Sequence, residues 1–235
     1  MRKIPLLVLV GGLGTRLNKI YPDIPKFLVP INENNKFADF WMKSLDYSCI
    51  SHIYFLTGYK SEMIENYLLK KKLPVSFTVL SEGKRLLGTG GAIKKACEKL
   101  NSSFFVTYGD SILDLDWKIM MEKFFSEDKS LILSIIFNSG LTDSSNINLK
   151  NNEIYYNKRH KNSDMKFIDY GLSIININDF RRTTSKIEKF DLSDWFHYIT
   201  LFNPNIPYLE ANSRYYEIGT PSALEEFRRN FKHKN

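Results

Sequence analysis

Ile4-Pro5-Leu6-Leu7-Val8-Leu9-Val10-Gly11-Gly12-Leu13-Gly14-Thr15-Arg16-Leu17 is the stretch that decides how the rest of this chain is read. Residues 6–10 are an unbroken apolar run, too short to span a membrane and closed by glycine, which is the pattern of a strand buried on both faces of a parallel sheet. Gly11, Gly12 and Gly14 remove Cβ atoms and permit positive φ, so successive backbone N–H groups can converge on an anion. Arg16 adds a permanently charged fork matched to phosphate oxygens. A dinucleotide fingerprint requires a third small residue where Leu17 stands, and a Walker A loop requires Gly-Lys-Ser/Thr, which this turn lacks. The turn therefore points to a nucleoside triphosphate held in another way.

Outward from it, apolar and polar residues alternate between strand and helix periods. Residues 37–48 read as a helix, 52–57 as a strand, 61–69 as a helix with Ser61 as N-cap, and 75–80 as a third strand. A second glycine-rich segment, 82–91, precedes a helix from about 92 to 100, and strand 103–108 ends at Gly109-Asp110. Helix 116–125 and strand 131–137 follow. Asn151-Asn152 then turns a short hairpin, 146–149 with 154–157, inside a polar, asparagine-rich excursion. Strand 167–175, helix 191–202, strands 206–210 and 215–218, and a helix opened by Pro221 and capped by Thr220 complete the chain. Strands alternating with crossover helices predict an α/β fold, doubly wound and Rossmann-like, with a mostly parallel sheet between two helical layers and a small β excursion. In such sheets ligands bind outside the carboxyl ends of the strands, so the two glycine-rich segments are expected to face each other there.

At 235 residues the chain can form one domain, 1–138 for the nucleotide and 139–235 for an acceptor. The net charge of +7 comes from dispersed residues, and Lys70-Lys71-Lys72 reads as a solvated helix terminus, so neither nucleic acid nor a membrane is inferred as partner. Two cysteines, Cys49 and Cys97, with no metal spacing fit a reduced, cytoplasmic setting. Arg2-Lys3 before an apolar run imitates a signal peptide, but glycines cut the run short. The four histidines have no motif partners. Only the tail, 231–235, reads as disordered.

The turn, followed by Pro25-Lys26, resembles the signature of the sugar-1-phosphate nucleotidyltransferases. The resemblance continues in Leu87-Gly88-Thr89-Gly90-Gly91-Ala92, Tyr108-Gly109-Asp110, Asn157-Lys158, Ile168-Asp169-Tyr170-Gly171 and Glu217-Ile218-Gly219-Thr220-Pro221, in the family's order along the whole chain. It implies that Leu9, Gly11, Gly12, Gly14, Thr15, Arg16, Glu82, Gly88, Thr89 and Gly109 bind the nucleotide, with Gly88 at the base and ribose. As catalytic residues it implies Arg16, cradling the β- and γ-phosphates with the glycine backbone, and Lys26 and Lys158, binding the phosphates that react. Asp169, Gly171 and Lys158 would meet the acceptor, and Asp110 with Glu217 would hold Mg²⁺. Two positions depart from the pattern: Asn157 stands where an acid precedes the lysine, and Glu217 where an aspartate completes the metal pair. Tyr170 replaces a smaller residue, implying a differently shaped acceptor pocket. The expected reaction joins a nucleoside triphosphate, GTP favoured, to a sugar 1-phosphate, as in enzymes making GDP-heptose or GDP-mannose for surface polysaccharides. The alternatives are a regulatory protein that keeps the pocket without catalysis, or a transferase using UTP, CTP, dTTP or a non-sugar acceptor. A nicotinamide oxidoreductase is disfavoured by Leu17. The sequence is compatible with a homodimer and silent on oligomeric state otherwise.

Overall fold

The structure, a computed structural model, describes residues 2–12, 14–83, 86–140 and 144–231. Most of the tail expected to be disordered, from 232 on, lies outside them. Phe231 does not: it ends the last helix, stacked on Phe227 with ring centroids 4.3 Å apart.

The elements follow in the order β1 (Ile4–Leu9), α1 (Phe37–Lys43), β2 (Ile50–Thr57), α2 (Ser61–Leu68), β3 (Phe77–Ser81), α3 (Gly88–Cys97), β4 (Phe104–Tyr108), β5 (Ser111–Ile112) and α4 (Trp117–Glu127). Then come β6 (Leu131–Phe137), the hairpin β7 (Ile147–Lys150) and β8 (Glu153–Tyr156), β9 (Phe167–Ile175), α5 (Ile177–Thr184), α6 (Leu192–Phe202), β10 (Tyr208–Glu210), β11 (Tyr216–Glu217) and α7 (Pro221–Phe231). The main sheet has the order β10-β6-β9-β4-β1-β2-β3, with the hairpin joined at β9. β4, β1, β2 and β3 are mutually parallel, whereas β9 runs antiparallel between β4 and β6.

Strand alternation splits the core in two. Leu6 and Val8 of β1 and Phe105 of β4 face a layer containing α1, α2, α4 and α7. Leu7, Phe104 and Val106 face α3, α5 and α6. Helices on both faces explain why β1 carries no polar residue.

Four expectations need correction. Ser61 is the first residue of α2, not its cap: the cap is Lys60 in the left-handed region, and the Ser61 hydroxyl bonds Thr57 Oγ1 at 2.7 Å. Helix α3 begins at Gly88 rather than near Ala92, because the glycines form its first turn. The first helix ends at Lys43, short of 48. Helix α5, capped by the Asn176 side chain on Asn178 and Asp179 N–H, falls where no element was expected.

Candidate active site

A cavity of about 290 Å³ opens across the carboxyl ends of β4, β1, β2 and β3. The strands part there under close constraint. A Cβ on Gly11 would lie 3.1 Å from Gly58 N, and one on Gly109 would lie 2.2 Å from Val10 Cγ1. Gly14 takes φ +60°, while Gly12 has open space around it. These glycines let backbone rather than side chains form the wall. Leu9, Gly11, Gly12, Gly14, Glu82, Gly88, Thr89 and Gly109 all line this cavity. Thr15 and Arg16 do not; both are exposed, and Arg16 Nη2 lies over Gly219, 3.3 Å from where a Cβ would stand.

Lys26 projects into the same cavity from a short 3-10 turn, Lys26–Leu28. Pro25 sets its start, and buried Phe27 anchors it against Trp41 and Phe55, with centroids 5.5 and 5.9 Å away. Trp41 Nε1 in turn donates to Tyr108 O at 3.1 Å, holding the end of β4. The Lys26 ammonium meets Asp110 Oδ2 at 2.7 Å.

Asp110 and Tyr108 also line a second, more polar cavity of about 370 Å³. Glu217 joins it from β11, because that strand pairs antiparallel with β5 and sets Glu217 opposite Ser111. Ile218 N donates to Asp110 O at 3.0 Å, so two acids 107 residues apart in sequence come to one wall. Asp169, Gly171 and Lys158 line the cavity as well. Gly171 has φ +101°, at a break in the β6–β9 register that Ser134 bridges by bonding both Leu172 N and Leu172 O. Such a bulge re-aims side chains next to it. Burial pushes the Asp169 carboxyl up to about 6, against the pull of the Gly171 N–H and the Lys158 charge. Burial likewise raises the Tyr108 and Tyr156 phenols, so both line the cavity as neutral hydroxyls.

Asn157 acts locally, through an Oδ1 that accepts from Arg159 N at 3.0 Å and His160 N at 2.8 Å and so shapes the turn that carries Lys158. Tyr170 faces the cavity, and its hydroxyl accepts from Asp114 N at 3.1 Å. Sequence reasoning missed Asn146, Tyr156, Lys161 and Tyr215 in this cavity, and Leu86 and Asp191 in the first. Asp191 left a signal only as a helix start; the others left none.

Carboxylate oxygens such as those of Asp110 and Glu217 suit a hard cation such as Mg²⁺, which takes one or two carboxylates and completes its shell with water and phosphate. Among the described residues no group of three or more His, Cys, Asp or Glu side chains is placed to hold a metal ion. No helix among the described residues is long and apolar enough to cross a membrane.

Two joined clefts, one walled by glycine backbone and the other by lysine and acid side chains, lie at the carboxyl edge of a doubly wound sheet, the edge at which proteins of this fold class bind their ligands. The chain belongs to the nucleotidyl transferase family, whose model matches residues 6–145. Among its relatives, D-glycero-alpha-D-manno-heptose 1-phosphate guanylyltransferase of Aneurinibacillus thermoaerophilus is 35% identical over 130 residues, 55% of this chain and 56% of the relative. The enzyme of that name from Campylobacter jejuni is 37% identical over 110 residues, 47% of this chain and 49% of the relative. The chain thus matches about half the length of these curated relatives. The crystal structure of HddC from Yersinia pseudotuberculosis superposes with a TM-score of 0.77 at 26% identity, covering 97% of this chain and 99% of that one.

Proposed function

We propose that the protein transfers a guanylyl group from GTP to a sugar 1-phosphate, giving a GDP-sugar and pyrophosphate. The observation that carries this reading is that Tyr108 and Asp110 belong to both cavities, so two ligands bound side by side meet at one carboxylate. The acceptor's phosphate oxygen attacks the α-phosphorus in line, the bond to the bridging oxygen breaks, and pyrophosphate leaves. No protein nucleophile takes part; positioning and charge neutralisation carry the reaction.

Gly11, Gly12 and Gly14 offer backbone N–H groups to the triphosphate, and Arg16 closes over it from outside the cavity. Lys26 neutralises the α-phosphate side, and Lys158 with Lys161 draws the acceptor's phosphate. Asp169 accepts from acceptor hydroxyls. Asp110 and Glu217 would hold Mg²⁺, which when bound lowers the charge repulsion between the phosphates.

Glu82 supports GTP as the donor. Its carboxylate lines the first cavity beyond the end of β3, and burial raises its pKa despite one hydrogen bond from Leu87 N at 3.3 Å. Guanine offers N1–H and N2–H to such a group on one edge, whereas the edges of uracil and thymine carry a single donor between acceptors. The relatives named for heptose 1-phosphate favour a heptose or mannose acceptor and use in surface polysaccharide synthesis, in the cytoplasm. Residues 1–138 mainly hold the donor and 139–235 mainly the acceptor, within one domain.

The test is pyrophosphate release across GTP, ATP, UTP, CTP and dTTP crossed with heptose, mannose and glucose 1-phosphates, with and without Mg²⁺. GTP with a heptose or mannose 1-phosphate is expected to give the fastest release, and Glu82→Gln to erode the preference for GTP. Nucleotide binding without pyrophosphate from any pair would replace the reading with a regulatory pocket.

A further inference from the structure

The N-cap residue of α6 is an aspartate that does not cap. The first N–H that needs a partner, that of Leu192, donates at 2.8 Å to the Thr89 hydroxyl, which reaches over from α3. An N-cap aspartate normally accepts from the helix it starts. Freed from capping, the Asp191 carboxylate has no hydrogen-bond partner among the described residues and lines the donor cavity.

Its place along the cavity follows from the sheet. Asp110 stands at the end of β4 and Glu82 at the end of β3, with β1 and β2 between them. At the usual strand spacing these ends are roughly 14 Å apart, about the reach of a nucleotide from its reacting phosphate to its base. Asp191 lies between. An ideal Cβ on Gly88, at the start of α3, would be 3.1 Å from Asp191 Oδ1. On the other side, Asp191 shares the cavity wall with Tyr108, the last residue of β4. With the base at Glu82 and the α-phosphate at Asp110, the part of the nucleotide at this level is the ribose.

We propose that Asp191 is a specificity-determining residue that accepts hydrogen bonds from the ribose hydroxyls and so selects ribonucleotides over deoxyribonucleotides. An ionised carboxylate is acceptor only, which suits a diol and repels phosphate, so the residue also keeps the triphosphate at the glycine end. The inference rests on the first cavity being the nucleotide site and is independent of which base is bound.

The experiment compares the affinities of GTP, 2′-deoxy-GTP and 3′-deoxy-GTP for the wild type, Asp191→Ala and Asp191→Asn. A hydrogen bond to a charged group predicts that the wild type binds at least one deoxy analogue about ten- to a hundredfold more weakly than GTP. Asp191→Ala is expected to lose that factor for GTP alone, bringing the ratio near unity, and Asp191→Asn, which keeps one acceptor oxygen, to fall between. Because Thr89 caps α6, both variants are expected to melt near the wild type. Equal weakening of all three ligands in Asp191→Ala overturns the proposal, as does a wild type indifferent to both deoxy analogues. So does an Asp191→Ala enzyme that keeps its sugar discrimination but loses its preference among bases. If GTP does not bind and another ribonucleotide does, the same comparison runs on that pair. Failure of every triphosphate to bind the wild type sinks the enzyme reading, and this one with it.

Discussion

Replacing Asp169 by asparagine is expected to stabilise the protein while impairing it. In the fold the carboxyl titrates at about 6, against an ordinary 3.8, and burial is the main cause. The folded state therefore holds a proton that the unfolded chain has already released, and stability falls as pH rises from about 4 to about 6 and stays lowered above that. A gap of roughly 2 pH units corresponds to up to about 3 kcal/mol. Asparagine keeps an oxygen for the Gly171 N–H, which sits 3.0 Å away, and carries no charge to desolvate. Asp169→Asn should then match the wild type near pH 4, diverge through pH 6, and exceed it at pH 8. For a chain of this length the full gap amounts to about 6–12 °C in melting temperature. Differential scanning calorimetry from pH 4 to 8 reads it directly. The same substitution is expected to raise KM for the acceptor by about ten- to a hundredfold, since a charged acceptor of sugar hydroxyls is gone. Parallel pH profiles for the two proteins, or a variant less stable at pH 8, would refute the assignment of a desolvated carboxylate kept for binding.

Asp110→Asn is expected to abolish pyrophosphate release with an unchanged circular dichroism spectrum; an active variant would remove Asp110 from the reaction. Glu217→Gln should weaken Mg²⁺ dependence in the same assay, shifting the Mg²⁺ concentration for half-maximal rate upward by about tenfold or more. Gly91→Ala should cost about 1–3 kcal/mol in urea denaturation, because its Cβ would stand 2.6 Å from Glu188 O, a backbone atom with little room to retreat.

What the sequence made legible were features with a local cause. Residues 131–137 are apolar almost throughout and 167–175 read as a strand through Asp169 and Gly171, and they form β6 and β9 with those bounds. Asn151 and Asn152 take φ of +53° and +63°, the conformation their side chains tolerate in a tight hairpin turn. Direction, however, is not encoded in a period of two. Nothing in Phe167 to Ile175 says that the strand runs antiparallel between two others. Helix α5 escaped because most of its residues are polar and its cap, Asn176, is a signal too common to weigh alone. The site divided in the same way. Positions on the strand ends, such as Asp110 and Gly109, were visible as motifs, whereas Asn146, Lys161 and Asp191 reach their cavities only through loop paths and helix packing.

The start of α3 shows the mechanism of that blindness. Glycine is a poor helix former, so Gly88, Gly90 and Gly91 read as a loop; they are helical because the segment before α6 presses on them. A Cβ at Gly90 would stand 2.2 Å from the Phe190 ring, and Gly90 N and Gly91 N both donate to Phe190 O. Two cations lock this contact. Lys94 Nζ donates to Thr184 O at the end of α5 and to Ser185 O and Ile187 O beyond it, and Arg181 donates to Cys97 O at the end of α3 and to Leu100 O beyond it. Each helix thus satisfies the orphan carbonyls at the other's carboxyl end, where positive charge is also favoured by the dipole. The consequence reaches the first cavity: Asp191 follows Phe190 directly, so its distance from Gly88 is fixed by a clamp between the two halves of the chain. Residues of the carboxyl-terminal half therefore set one wall of the first cavity, and the glycines of α3 serve the close approach of one protein segment to another.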